Sequence, residues 1–400
     1  MHRVVTVALP SALGKRLIDM APRDSAVFLQ GEQGLIGWGE AKRFEATGPN
    51  RIGELATAWS NFVAELQVED ALQIPGSGPI AFGAIAFADG SKSSSTLVMP
   101  KVVLGRRDDS YWITTVDEAE LPEVTPWVEN SAVTFGAGRV GREQFASLVD
   151  KAVALIEQGS LEKVVLARDL IGEVAAGFDL RPTLNRLLNR YPSCWVYSVD
   201  GMFGASPELL VRVSHSQVSA RVLAGTAARG TDPSVDLAIA KALAESHKNL
   251  AEHEFAVRSL VNALEPFCDQ VDADTEPFSL KLPNLWHLAS DVQGVLKSEG
   301  SVLDLASALH PTAAVAGTPR LESLKLIEEL EPFDRGRYAG PVGWIGADGD
   351  GEWVIALRGA QIDGNQITAF AGCGVVAESD GQSELTETDL KFQPILGALG

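Results

Sequence analysis

Along residues 1–112, short mostly apolar runs are separated by glycine turns. VVTVAL, AVFLQ, GLIGWG, IAFGAIAFADGS, TLVMPKVVLGRR and SYWITTV read as strands. One helical stretch interrupts them from about Gly53 to Leu66, with Leu55, Trp59 and Val63 on one side. Residues 117–140 mix proline, acids and small residues without a period and read as a connector. After Gly141, the residues Phe145, Leu148, Val149, Ala152, Val153 and Ile156 mark an amphipathic helix. The strand KVVLARDL follows, then a Leu-rich helix after Arg181, then CWVYSV, LLVRV and VSARVLAG as strands. Residues 234–267 carry the longest helical pattern, and NLWHLASDVQGVL reads as a buried strand. Pro319 is predicted at the first position of the helix RLESLKLIEEL. A meander of YAGPVGWIGA, EWVIALRGAQI and QITAFAG closes on a final helix, Ser383 to Leu399.

Strands in consecutive groups between long helices predict an α+β architecture with large antiparallel sheets. GPIAFGAIAFADG (78–90) echoes GPVGWIGADGDG (340–351), which is compatible with a duplicated sheet.

Composition narrows the function. With 46% apolar residues the chain can bury a large core, and 33 Lys and Arg against 53 Asp and Glu leave a net charge of −20. Such a surface excludes a phosphate-backbone partner and repels anionic ligands, so an anionic substrate has to be drawn in by local cations or a metal. Cys194, Cys268 and Cys373 form neither a disulfide framework nor a zinc pattern. No apolar run reaches membrane-spanning length, and Pro10 breaks the apolar start that would otherwise imitate a signal peptide, so a cytoplasmic enzyme is expected. Walker A, Rossmann, H-E-x-x-H and G-x-S-x-G signatures are missing from the sequence.

Charged residues in otherwise apolar strands carry the remaining chemistry. Lys163 opens KVVLA and shares a strand face with Val165 and Ala167, which also suits a lysine reaching solvent from a strand end. Glu208 follows a proline into an apolar strand, as a polar turn residue would. Arg358 lies within a buried-looking run and needs a partner there. On the last helix, Glu384, Glu387 and Lys391 fall on one edge, where two carboxylates suit a hard cation and Glu387 with Lys391 equally suits a surface ion pair. Glu252 lies opposite the apolar stripe of its helix, as a solvent-facing acid would.

Ten segments taken in order resemble the chorismate-utilising enzymes, the isochorismate, salicylate, anthranilate and aminodeoxychorismate synthases. They are EKVVLAR, GASPELL, LAGTAARG, ESHKNLAEHEFAV, LWHLASDVQG, ALHPTAAVAGTP, DRGRYAGPVGW, ALRGAQI, FAGCGVV and ELTETDLK, between about Gly141 and Lys391. The resemblance implies one α+β domain over 1–400, two large antiparallel sheets packed face to face with helices outside, 141–400 bearing the motifs and 1–140 completing the sheets. It implies a Mg²⁺ site at Glu252 and Glu387 with Glu384 beside it, and a carboxylate grip by Arg358 and Lys391 supported by Tyr338, Gly372 and Gly374. His287 would lie under the ring carboxylate, with Gly225 and Thr226 in the adjoining turn.

Lys163 stands where water-using members carry Lys and the anthranilate branch has Gln. A lysine partly desolvated there would drop in pKa enough to activate water. Ala224 stands where the aminodeoxychorismate branch has a nucleophilic Lys. The expectation is therefore water attack at C2 of chorismate, loss of the C4 hydroxyl with Glu208 as acid, and isochorismate as product for menaquinone or siderophore synthesis. A monomer without a glutaminase subunit is expected. Salicylate synthase and anthranilate synthase component I are the alternatives. Asn249, where the family commonly has Asp, and Leu385, where it often has Trp, depart from the motifs.

Overall fold

The computed structural model describes residues 2–10, 15–120, 123–283, 285–297 and 300–400, with the side chains of Lys248 and Glu252 outside that description. The strands form two large, mostly antiparallel sheets. Phe28 and Tyr197 of the first sheet meet Phe82, Trp344 and Trp353 of the second in one buried core. The opposite face of the first sheet is covered by helices. Val27, Leu29, Val196 and Ala369 pack there with Leu184 and Leu187 of the helix Arg181–Arg190, and with Phe392 and Ile395 of the last helix, Gly381–Leu399. Central strands buried on both faces explain why their sequences read as continuous apolar runs rather than alternating ones.

The weak sequence echo marks a duplication. Ala26–Gln30 pairs with Trp195–Val199 at the centre of the first sheet, and Ile80–Ala84 pairs with Pro341–Gly346 at the centre of the second. Outward from these centres, 33–38, 102–107, 110–116 and 3–9 are mirrored by 202–206, 359–363, 366–375 and 163–173 in the first sheet. In the second sheet 95–99 and 42–46 are mirrored by 351–355 and 209–214. The second copy alone carries an excursion with the long strand pair Gln217–Ala228 and Leu285–Leu296, covered by the helix His247–Leu264.

Several sequence boundaries shift for physical reasons. TLVMPKVVLGRR breaks at Pro100 and Lys101, where the chain leaves the second sheet (Ser95–Met99) for the first (Val102–Arg107). EWVIALRGAQI does the same between Gly351–Ile355 and Gly359–Asp363, so Arg358 lies in a corner and not inside a strand. The 234–267 helix is two helices, Pro233–Glu245 and His247–Leu264, because extended Ser246 accepts from Asn249 N–H and caps the second. Pro319 is the residue before the helix Arg320–Leu330 rather than its first. The first helix starts at Arg51 and the last at Gly381, where the Asp380 carboxylate accepts from the Gln382 and Ser383 amides.

Candidate active site

Two adjacent crossings between the sheets build one wall of a cavity of about 320 Å³. Glu208 occupies the first crossing, between Met202–Ser206 and Leu209–Ser214. Its amide donates to Ser206 Oγ at 3.2 Å and its carbonyl accepts from Ile355 N–H at 3.1 Å. Arg358 occupies the second crossing with φ +49°, and its carbonyl accepts from Ala205 N–H at 3.3 Å. A non-glycine residue in the left-handed region is a strained choice, and here the Ala205 hydrogen bond ties it to the neighbouring strand. The corner turns the guanidinium towards the cavity that Glu208 also lines.

Lys163 opens the strand Lys163–Glu173, half-buried, with Ser323 Oγ donating to its carbonyl at 2.9 Å. It lines the cavity. On the neighbouring strand, Gly374 and Gly372 lie opposite Val165 and Ala167. A Cβ at Gly374 would stand 2.6 Å from Lys163 Cε, and one at Gly372 would meet the Tyr338 hydroxyl at 3.2 Å. These glycines keep room for the two side chains. Tyr338 stacks on Phe370 with ring centroids 5.0 Å apart, and burial pushes its hydroxyl up to about 12, leaving it a protonated donor.

The last helix supplies the charged edge expected of it. Lys391 Nζ pairs with Glu387 at 2.5 Å and donates to the Gly372 carbonyl at 2.9 Å. Glu384 accepts from Ser379 Oγ at 2.7 Å. Burial pushes Glu387 up, but Lys391, Arg358 and Lys163 outweigh it and hold the carboxylate below its usual range. Glu384 is raised by burial and by Glu387 beside it. An adjacent pair of carboxylates, one ionised and one pushed towards neutrality, is the donor set that a divalent cation relieves. Among the described residues no group of three His, Cys, Asp or Glu is gathered as a metal cage. The Glu252 side chain lies outside the described residues. Glu384 and Glu387 supply hard oxygen donors of the kind Mg²⁺ takes.

The excursion of the second copy closes the far wall. A bulge between Ala224 and Thr226 puts Gly225 at φ +84°, with Asn249 packed against it. Thr226 faces His287 across the strand pair, Oγ1 to Nδ1 at 3.0 Å, and Arg358 approaches His287 Nε2 at 3.5 Å. Burial lowers His287 to about 3, with Arg358 and Lys391 adding to it, so the ring is neutral. Burial acts oppositely on Glu208, which is 6% exposed. Its carboxyl rises to about 7, against the opposing pull of Arg358, Lys163 and Lys391.

The cavity thus gathers Lys163, Glu208, Gly225, Thr226, His287, Tyr338, Arg358, Gly372, Gly374, Glu384, Glu387 and Lys391. Sequence reasoning did not single out Arg335, which also lines it. Arg335 is tied into the framework: it donates to Glu331 and to the carbonyls of Val315 and Val165, while Glu331 accepts from Ala167 N–H. This buried pair takes up strand-edge groups of the Lys163 strand beyond Gly317–Thr318, and is framework rather than a carboxylate grip. Ser379, which holds Glu384, was likewise not singled out, because a lone serine before a helix reads as a cap.

A family model described as chorismate binding enzyme matches residues 18–121 and 119–400. Isochorismate synthase MenF of Bacillus subtilis is 29% identical over an alignment of 408 residues, covering 93% of this chain and 86% of that protein. A salicylate biosynthesis isochorismate synthase of Pseudomonas aeruginosa is 30% identical over 405 residues, with 92% and 83% covered. The solved structure of MenF, the menaquinone-specific isochorismate synthase from Escherichia coli, shares the fold. It has a TM-score of 0.83 over 100% of this chain and 94% of that one, at 22% identity. The chain is an enzyme of the chorismate-binding family. The resemblance read from the ten motifs and the two-sheet α+β fold it implied are both borne out. No helix among the described residues is long and apolar enough to cross a membrane.

Proposed function

We propose that this enzyme converts chorismate to isochorismate. The observation that carries the reading is that Lys163 and Glu208, a base and an acid, line one cavity with Arg358 and Lys391, while the position of a covalent lysine is Ala224. Arg358 and Lys391 hold the enolpyruvyl carboxylate, Arg358 through its two-pronged guanidinium. Lys163 takes a proton from water as the oxygen bonds to C2. Both ring double bonds shift by one position, carrying the electron pair from C2 round to C4, and the C4–oxygen bond breaks as Glu208 delivers its proton, so the hydroxyl leaves as water. Atoms and charge balance: one hydroxyl enters, one departs, and the proton gained by Lys163 matches the one lost by Glu208. A carboxyl raised to about 7 is in part protonated at neutral pH, which an acid requires.

Glu387 and Glu384, with Glu252, would hold Mg²⁺. The bound ion would offset the ring carboxylate in this acidic protein. No ammonia-delivering subunit is required by this chemistry. The chain works in the cytoplasm as a monomer, and its product feeds menaquinone or siderophore synthesis; the two relatives named for menaquinone and for salicylate biosynthesis are both named isochorismate synthases, which supports the shared first reaction. Chromatography after incubation with chorismate and Mg²⁺ tests the proposal. Isochorismate is the expected product, whereas salicylate with pyruvate as the direct product would overturn it.

A further inference from the structure

Three polar groups lining the cavity, Arg358 from the crossing wall and His287 and Thr226 from the far wall, constrain one another. Arg358 is a donor without lone pairs, and its guanidinium stands 3.5 Å from His287 Nε2, at the long end of hydrogen-bond range. A hydrogen on Nε2 would point at another hydrogen, so that nitrogen must present its lone pair. A neutral imidazole then carries its hydrogen on Nδ1. Nδ1 lies 3.0 Å from Thr226 Oγ1, and the Gly225 backbone also hydrogen-bonds the ring in the sense that favours protonation. The Thr226 contact agrees with an Nδ1–H donor.

We propose that Arg358 fixes the tautomer of His287, and that the ring thereby commits the Thr226 hydroxyl to donating its hydrogen into the cavity. The hydroxyl oxygen accepts from Nδ1–H, which leaves its own hydrogen for an acceptor. Thr226 lines the cavity, so that acceptor is an oxygen lone pair of the bound molecule, a carboxylate or a hydroxyl. His287 therefore neither gives nor takes a proton during the reaction. It is a positioning residue, and it passes the polarity of Arg358 across the wall to a group that Arg358 does not touch. Thr226 is the specificity element: it rejects a donor-only group at its position and favours an oxygen anion. The bulge at Gly225 is what brings Thr226 back into register with His287.

The part of this inference concerning the ligand rests on the chorismate reading; the tautomer does not. Uniform ¹⁵N-histidine labelling and long-range ¹H–¹⁵N spectra of the substrate-free full-length enzyme at neutral pH report it directly. The sequence has six histidines, and the signals lost in His287→Asn assign the ring. The expected pattern is a protonated Nδ1 and a bare Nε2, with Arg358→Met broadening or shifting the Nε2 signal. A ring protonated on Nε2, or on both nitrogens, would overturn the proposal. For Thr226, the isosteric Thr226→Val variant should bind chorismate about 10- to 100-fold more weakly by calorimetry, while Thr226→Ser stays within about threefold. Equal loss in both variants, or none in Thr226→Val, would show that the hydroxyl donates nothing to the ligand. Absence of isochorismate in the wild-type reaction, with the tautomer as expected, would count against the assigned reaction and leave the relay standing.

Discussion

Gly374 keeps open the space that Lys163 fills: a Cβ on residue 374 would stand 2.6 Å from Lys163 Cε and 3.2 Å from Nζ. The obstructed atoms are the far end of a flexible side chain, so the fold can absorb an alanine by swinging the lysine away. Gly374→Ala should therefore leave the melting temperature within about 2 °C while lowering kcat roughly 10- to 100-fold. Thermal unfolding and steady-state kinetics check both halves. An unchanged kcat would remove Lys163 from the chemistry more cleanly than its own deletion.

Glu208 gives the reaction a pH limb with a definite sign. Its carboxyl is raised from 4.5 to about 7 by burial, and as the acid it must be protonated. Forward kcat should fall as pH rises through about 7. The same shift is a stability term: a group whose folded pKa exceeds its unfolded one stabilises the fold most below the lower value. That contribution is lost as pH rises through the upper value. Glu208→Gln should thus be strongly impaired in catalysis yet more stable than the wild type above pH 7, by a margin on the order of a few kcal/mol, and no more stable near pH 4. Denaturant unfolding at both pH values measures it.

The Glu387–Lys391 contact bears on the metal. In the substrate-free site Lys391 neutralises Glu387, and a divalent cation has to compete with it. Turnover should require Mg²⁺ and stop in excess EDTA. Glu387→Gln should abolish activity. Glu384→Gln, which keeps the Ser379 hydrogen bond through its amide oxygen, should raise the Mg²⁺ concentration needed by about 10-fold or more while leaving the melting temperature unaltered. Metal titrations of activity and of calorimetric binding distinguish the two variants. Full turnover in EDTA would show that the acids serve only as ion-pair partners.

Much of this site was legible residue by residue, and what was not shares one cause. The helical edge of Glu384, Glu387 and Lys391 survives because helix periodicity is local and the cap at Asp380 is written beside it. Arg358 misled the pattern reading. Its corner joins two buried strands of different sheets, so the apolar run continues through it, and nothing local signals φ +49° at an arginine. Glu208 looked like a turn acid for the same reason, and the corner that buries it is set by partners over a hundred residues away. Ser246 is the opposite case, since a serine three residues before Asn249 is a readable cap inside a long apolar pattern.

The final prediction concerns the pair Lys163 and Glu208 acting together. Exchange of one ring hydroxyl for another is close to thermoneutral, so the reaction should run from either side. In reverse, Glu208 accepts the proton of the attacking water and Lys163 donates to the departing hydroxyl. Each residue then serves once as base and once as acid. Lys163→Ala and Glu208→Gln should lose activity by similar factors in both directions, on the order of 10²–10⁴ each. Chorismate binding should persist through Arg358 and Lys391. In ¹⁸O-labelled water the forward product should carry label at C2, which mass spectrometry of the isolated isochorismate reads. On the proposed reading Lys163 selects water over ammonia, so at high ammonium and raised pH the wild-type enzyme should still yield isochorismate. Anthranilate as its main product would mean that the lysine does not select the nucleophile. Product without label at C2 would mean that solvent water does not attack there.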